Sequence, residues 1–211
     1  MTDERGGRRP RPRKPTPAER REQRSQVEDP AEVLDAAARF LEARPRSEAE
    51  VRRKLFRLGY RPEMVDDAVV KLLTVGYLDD EAFARSWVES RDRVKPRGEH
   101  ALRRELGQKG VDRALVDGVL DERRDEALAG GDGAEGPDEA AAERLLAKKL
   151  GPILRESDPR RRLQRAYALL ARSGFSPDVC SSVPRRVLAA AAEAAELGVS
   201  EGEDGLGATG E

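Results

Sequence analysis

The sequence is poorest in the residues that carry most enzyme chemistry: it holds one histidine, His100, and one cysteine, Cys180, in 211 residues. A lone cysteine excludes an internal disulfide framework and suits a reducing compartment. A lone histidine, with no cysteine near it and no ligand spacing, argues against a metal centre or a histidine-activated nucleophile. His100 therefore reads as an ordinary surface or interface side chain. Cys180, at a periodic apolar position, reads as a small core residue. Aromatics make up only 4% of the chain, too few for one thick core or for base-stacking platforms. Runs of Val, Ile and Thr that favour strands are missing. No apolar stretch approaches the ~20 residues that span a bilayer, and the N-terminus lacks the apolar segment of a secretory signal. A cytoplasmic protein with no membrane partner is expected.

Two further patterns suggest chemistry and fail on inspection. Asp79-Asp80-Glu81 could be a carboxylate cluster, but it stands at a helix start, where acids cap free amides and favour the macrodipole. The Gly-rich stretch 130–136 lacks the Lys-Ser/Thr ending of a phosphate-binding loop. No catalytic residue, metal site or cofactor is expected, and the chain reads as a binding protein.

What is abundant is charge, at 38% of residues, together with Arg, Ala, Leu and Glu, all good helix formers. The formal net charge of −1 hides segregation. Residues 1–24 hold nine Lys/Arg against four acids, and residues 193–211 hold six acids and no Lys or Arg. Such blocks read as solvated tails. Residues 1–30 are expected to be a basic disordered tail. Within it Thr16-Pro17-Ala18-Glu19 has capping-box spacing, so a short exposed helix before Pro30 is possible, though nothing apolar would hold it down. Residues 129–137 read as a Gly-rich acidic linker and 193–211 as an acidic disordered tail.

Between these segments one punctuation recurs. Gly59-Tyr60-Arg61-Pro62, Gly110-Val111-Asp112-Arg113 and Gly174-Phe175-Ser176-Pro177 each close one amphipathic stretch and open another. Each glycine suits the left-handed position that ends a helix, and the apolar residue after it can pack back on the last turn. Asp112 and Ser176 suit N-caps, Pro62 and Pro177 the first helical position. Four residues before each glycine stands a leucine: Leu55, Leu106, Leu170. Eight before stand Val51, Leu102 and Ala166; five and six after stand Met64-Val65, Leu115-Val116 and Val179-Cys180; nine after stand Ala68, Val119 and Val183. Steps of four lie on one helical face, and agreement at so many offsets identifies an internal repeat.

Each unit also has a helix in front, over 31–43, 80–94 and 138–150. Ser47-Glu48-Ala49-Glu50 caps the second helix of the first unit. The expected fold is all-α: an elongated, curved, solenoid-like array of three three-helix repeats with disordered tails. The repeats fall at 31–79, 80–128 and 138–192, nine helices in all. Pro184 lies mid-helix in the third, which should be kinked or short.

Charge follows helix position. Residues 39–61 hold eight Lys/Arg and three acids, 85–104 seven and three, and 143–172 nine and three. Residues 63–81 reverse this with six acids and one lysine. A basic strip along the first two helices of each unit, beside a more acidic edge, suits an extended polyanionic or filamentous partner. Phe83 and Trp87, four apart, read as core rather than as a stacking platform.

The stretch from Gly76-Tyr77-Leu78-Asp79-Asp80-Glu81-Ala82-Phe83 through Trp87 to Arg91 resembles the signature of the RecX family of recombination regulators. Lys95-Pro96-Arg97-Gly98 and Leu102-Arg103-Arg104-Glu105-Leu106 through Lys109-Gly110-Val111 continue the likeness. Arg46-Ser47-Glu48-Ala49-Glu50-Val51 resembles the family's first-repeat motif. The resemblance is strong over about 31–125 and weaker over 138–190. It implies a monomeric regulator that binds the RecA–DNA filament and modulates, chiefly restrains, RecA ATPase, strand exchange and co-protease activity in recombination, DNA repair and the SOS response. It points to Arg85, Arg91, Lys95, Arg97 and Lys109 as exposed basic contacts for the filament or its DNA. Gly98 and Gly110 would be turns, and Leu78, Phe83, Trp87 and Leu106 core. Direct contact with single- or double-stranded DNA is open. Two other readings stay open as well: a free-standing helical DNA-binding protein that needs no RecA, and a scaffold for another acidic protein.

Overall fold

The computed structural model describes residues 13–129 and 135–203. Eleven helices occupy the described residues, and no strand is found among them. The fold comprises three three-helix domains preceded by one short helix. It divides into two compact units, 1–79 and 80–211.

The first unit holds α1 (Pro17–Ser25) and repeat one: α2 (Pro30–Glu42), α3 (Glu48–Leu58) and α4 (Pro62–Thr74). Both anticipated capping boxes form. Thr16 Oγ1 accepts from the Glu19 amide at 3.2 Å while Glu19 accepts from the Thr16 amide at 2.7 Å. Ser47 and Glu50 exchange the same pair at 3.2 and 3.3 Å. At the far end of α3, Gly59 adopts φ 106° and its amide donates to the Leu55 and Phe56 carbonyls. Tyr60 then folds back, buried, on the core that α2, α3 and α4 share.

The second unit holds repeat two, α5 (Asp80–Val94), α6 (Glu99–Lys109) and α7 (Arg113–Leu128), and repeat three, α8 (Pro137–Ala147), α9 (Leu150–Leu154), α10 (Pro159–Arg172) and α11 (Pro177–Glu203). Gly110 and Gly174 are left-handed, both at φ 84°, and Val111 and Phe175 are buried behind them as Tyr60 is behind Gly59. The apolar offsets match in all three copies. Leu55, Leu106 and Leu170 are fully buried, as are Val51, Leu102, Ala166 and Val183, and Ala68 and Val119 are buried. Cys180 is a core residue, and burial pushes its thiol pKa up.

Four expectations are corrected. The segment 1–30 is not all tail, since α1 and the turn after it are ordered, as is the start of α2. No residue of α1 is buried; polar contacts hold it. Arg24 donates to the Leu58 carbonyl at 3.3 Å and stands 5.9 Å from the Tyr60 ring, and Arg61 donates to the Val27 carbonyl at 3.2 Å. Among the described residues helices number eleven rather than nine, because α1 precedes the repeats and the short α9 falls within the third. α11 is neither short nor ended by Pro184. It runs 27 residues, because Val183, Val187 and Leu188 pack on the repeat-three core on both sides of the proline. The same helix extends to Glu203, into the segment 193–211 expected to be an acidic tail. Residues 1–12, most of the linker (130–134) and residues 204–211 lie outside the described residues.

Repeats two and three are joined by interlocking backbone and a shared ion pair. Gly98, at the N-cap of α6 with φ −74°, sets its amide 3.1 Å from the Ser173 carbonyl. A Cβ on Gly98 would fall 2.3 Å from the Gly174 oxygen, and one on Gly174 2.4 Å from the Ala101 side chain. No Gly98 side chain can cap α6; instead Asp138 of α8 accepts from the Glu99 amide at 3.0 Å. Arg123, only 10% exposed, is bidentate to Asp92 at 2.9 Å and reaches Asp138 at 2.8 Å. Burial pulls its pKa down, and the hydrogen bonds to Asp92 and Asp138 more than restore it.

Candidate interaction surface

The five basic residues singled out in repeat two do not form one exposed patch. Arg91, Arg97 and Lys109 come together around Glu105 and Trp87. Glu105 accepts from Arg91 Nε at 2.6 Å and from Trp87 Nε1 at 3.0 Å, and its other oxygen lies 3.5 Å from Arg97 Nε. That last separation is within Coulombic reach, but Arg97 Nε is buried with no hydrogen bond. The Arg91 guanidinium stands 4.3 Å and Lys109 Nζ 4.1 Å from the Trp87 ring. Arg91 and Arg97 are therefore only 28% and 23% exposed, which corrects their reading as solvent-facing.

Trp87 is corrected too. Phe83, Leu78 and Leu106 are core, whereas Trp87 is half-buried at the edge of it, 6.1 Å from Phe83. Its indole N–H needs an acceptor, and Glu105 brings it to the rim where one exists. Arg85 is exposed but engaged: it pairs with Glu81 one turn back and is bidentate to Glu122 of α7 at 3.0 Å. The hydrogen bond from Arg85 holds the Glu122 carboxyl below its usual range. Lys95, in the turn after α5, is exposed; its amide donates to the Arg91 carbonyl at 3.0 Å, and its ammonium has no partner among the described residues. His100 is exposed at the N-terminal end of α6, beside Glu99.

Much of the positive charge of repeat two is thus spent inside the fold. Arg103 pairs with Glu99 and, at 2.8 Å, with Asp117, and the hydrogen bond from Arg103 lowers the Asp117 pKa. Arg124 pairs with Glu99 and Asp121. The residues that sequence reasoning missed are these acceptors, Glu105 above all. The i,i+4 pairs could be read from spacing; pairs such as Arg91–Glu105 or Arg123–Asp92 join different helices and have no spacing signal.

The three-helix plan has counterparts among known proteins. The family descriptions "RecX, first three-helix domain", "second three-helix domain" and "third three-helix domain" match residues 34–72, 79–120 and 137–183. Regulatory protein RecX of Mycobacterium ulcerans is 39% identical over 153 residues, 72% of this chain and 82% of that protein.

The chain belongs to the RecX family. Regulatory protein RecX of Streptomyces coelicolor is 32% identical over 174 residues, 82% of this chain and 87% of its own length. Among solved structures, RecX from Lactobacillus salivarius has the same fold, with a TM-score of 0.62 over 74% of this chain and 95% of that one at 20% identity. A second crystal structure of regulatory protein RecX superposes with a TM-score of 0.61 at 26% identity, over 73% of this chain and 72% of that one. The RecX match places the first and second domains as repeats one and two. The third matches from residue 137 onward, beyond the Gly-rich stretch, and the second ends at 120.

Proposed function

We propose that this RecX-family chain binds the RecA–DNA filament and restrains RecA ATPase, strand exchange and co-protease activity, acting as a monomer in the cytoplasm by binding rather than by catalysis. The observation that carries the reading is the presence of all three RecX domains in order on one chain. The surface of repeat two that bears Arg85, Arg91, Lys95, Arg97 and Lys109 is proposed to face the filament. Lys95 is the one of the five whose side chain has no partner among the described residues, and Arg91, Arg97 and Lys109 gather around Trp87 and Glu105.

The deciding measurement is RecA ATPase on single-stranded DNA with increasing amounts of this protein. Inhibition at ratios well below one per RecA is expected. No effect at those ratios, with tight binding to naked DNA, would instead establish a free-standing DNA-binding protein. Lys95→Glu is the clean surface probe, because reversing Arg91 or Arg97 would also strip Glu105 of its partners. Weaker inhibition with unchanged helicity is expected; full inhibition by the variant would remove Lys95 from the surface.

A further inference from the structure

We propose that the cleft between α2 and α3 of repeat one holds the phosphodiester backbone of a nucleic-acid strand. The cleft has a volume of about 320 Å³ and is lined by Phe40, Arg46, Glu50, Arg53, Lys54 and Arg57. Four cations thus face one carboxylate. That carboxylate is already committed: Glu50 caps the Ser47 amide, pairs with Arg44 at 3.2 Å and lies 3.8 Å from Arg46. Lys54 and Arg57 have no carboxylate partner among the described residues.

Repeat two carries the same device in a closed form. There an aromatic ring, Trp87, is flanked by Arg91 and Lys109, and Glu105 neutralises the cluster. Glu105 stands five residues before Gly110; five residues before Gly59 stands Lys54. In repeat one the ring is Phe40, with the Arg46 guanidinium 4.2 Å and Lys54 Nζ 5.5 Å from its centre. The position that supplies a carboxylate in one copy supplies another cation in the other. Cation–π contacts offset part of the charge but leave the cations repelling one another. Arg46 Nε is also buried with no acceptor. An anion from outside would pair with Lys54 and Arg57, which line the open side of the cleft.

The form of the cluster favours phosphate over a carboxylate-bearing protein. Glu50, Lys54 and Arg57 follow one ridge of α3 at steps of four and three, with Arg53 beside it, so charge is laid out along the helix with a pitch of ~5.4 Å per turn. A strand presents anions at regular intervals, whereas an acidic protein would need several side chains in register with that ridge. Guanidinium forks also match phosphate oxygens bidentately. Cations stand over the Phe40 ring, so the cleft is suited to hold backbone, without reading bases.

This deepens the filament reading by assigning where a strand is held, and rests on it only for the source of the phosphate. The test is fluorescence anisotropy of the full chain with a labelled oligo-dT in the absence of RecA, across a salt series, beside the ATPase assay. Lys54→Gln/Arg57→Gln should bind at least tenfold more weakly at low salt. Its log K against log salt slope should be shallower by about 1.4, two contacts at ~0.7 each, and that of Arg57→Gln alone by ~0.7. Helicity and melting temperature should match the parent. Unchanged affinity and slope, no binding of the parent chain to oligo-dT, or equally tight binding of poly-glutamate would each overturn the cleft assignment. ATPase inhibition that persists in those cases leaves the filament reading standing. Cleft-dependent oligo-dT binding with no ATPase effect removes the filament reading alone.

Discussion

Gly98 and Gly174 show how much a single missing methyl group can decide. Gly98 has an ordinary backbone conformation, so alanine there carries no torsional penalty; the obstacle is the Gly174 carbonyl 2.3 Å from the would-be Cβ. Gly98→Ala should therefore destabilise the second unit by about 2 kcal/mol through overpacking. The check is the denaturant midpoint, with Gly107→Ala, whose Cβ would meet nothing within 4 Å, as the comparison. Equal midpoints for the two variants would show that the glycines are not in forced contact. From the sequence Gly98 looked like a turn residue of the same kind as Gly110. The distinction between left-handed φ and close approach is invisible without the partner chain segment, which lies more than seventy residues away.

At the scale of elements, caps and glycine stops were legible because they are local: the donor and acceptor are three to five residues apart. The fate of α1 was not, because its supports are the Leu58 carbonyl and the Tyr60 ring, contributed from across repeat one. A helix held this way depends on its cap. Thr16→Ala should raise amide exchange in 17–25 about fivefold, the equivalent of ~1 kcal/mol, with the global melting temperature unchanged. Unaltered exchange would mean that the packing on α3, not the capping box, sets its stability. For a related reason Pro184 does not shorten α11. Its intrinsic cost of ~3 kcal/mol argues against a continuous helix, but the apolar face on both sides of it is buried in the repeat-three core.

Across the whole molecule the three copies are alike in plan and unlike in grouping. Repeat one with α1 forms one compact unit and repeats two and three the other. The second unit is laced by Arg85–Glu122 and Arg103–Asp117, whose carboxyls are held below their usual pKa. A depressed carboxylate contributes stability that is fully present above its unfolded value, near 4, and is lost as pH falls through the folded value. The melting temperature should thus fall below about pH 4, and Glu122→Gln should blunt that fall while costing a little at pH 7. A variant with the parent's full acid sensitivity would remove this pair from the cause. Solvent screens exposed pairs of this kind, so several must act together.

Repeat number, helix plan, core positions and caps followed from the sequence alone, since each rests on residues within one or two turns of one another and on the 3.6-residue period that aligns them. Family membership was legible for the same reason, in the contiguous stretch from Gly76 to Val111. Which cations remain available did not follow. Arg91 and Arg97 lie in basic stretches of sequence like that of Lys95, yet tertiary packing sets Glu105 against them, as it sets Asp92 and Asp138 against Arg123, and leaves Lys95, Lys54 and Arg57 without carboxylate partners among the described residues. A charge census counts residues along the chain, whereas screening and pairing act over a few ångströms in space, and only the folded chain decides which carboxylates lie within that reach.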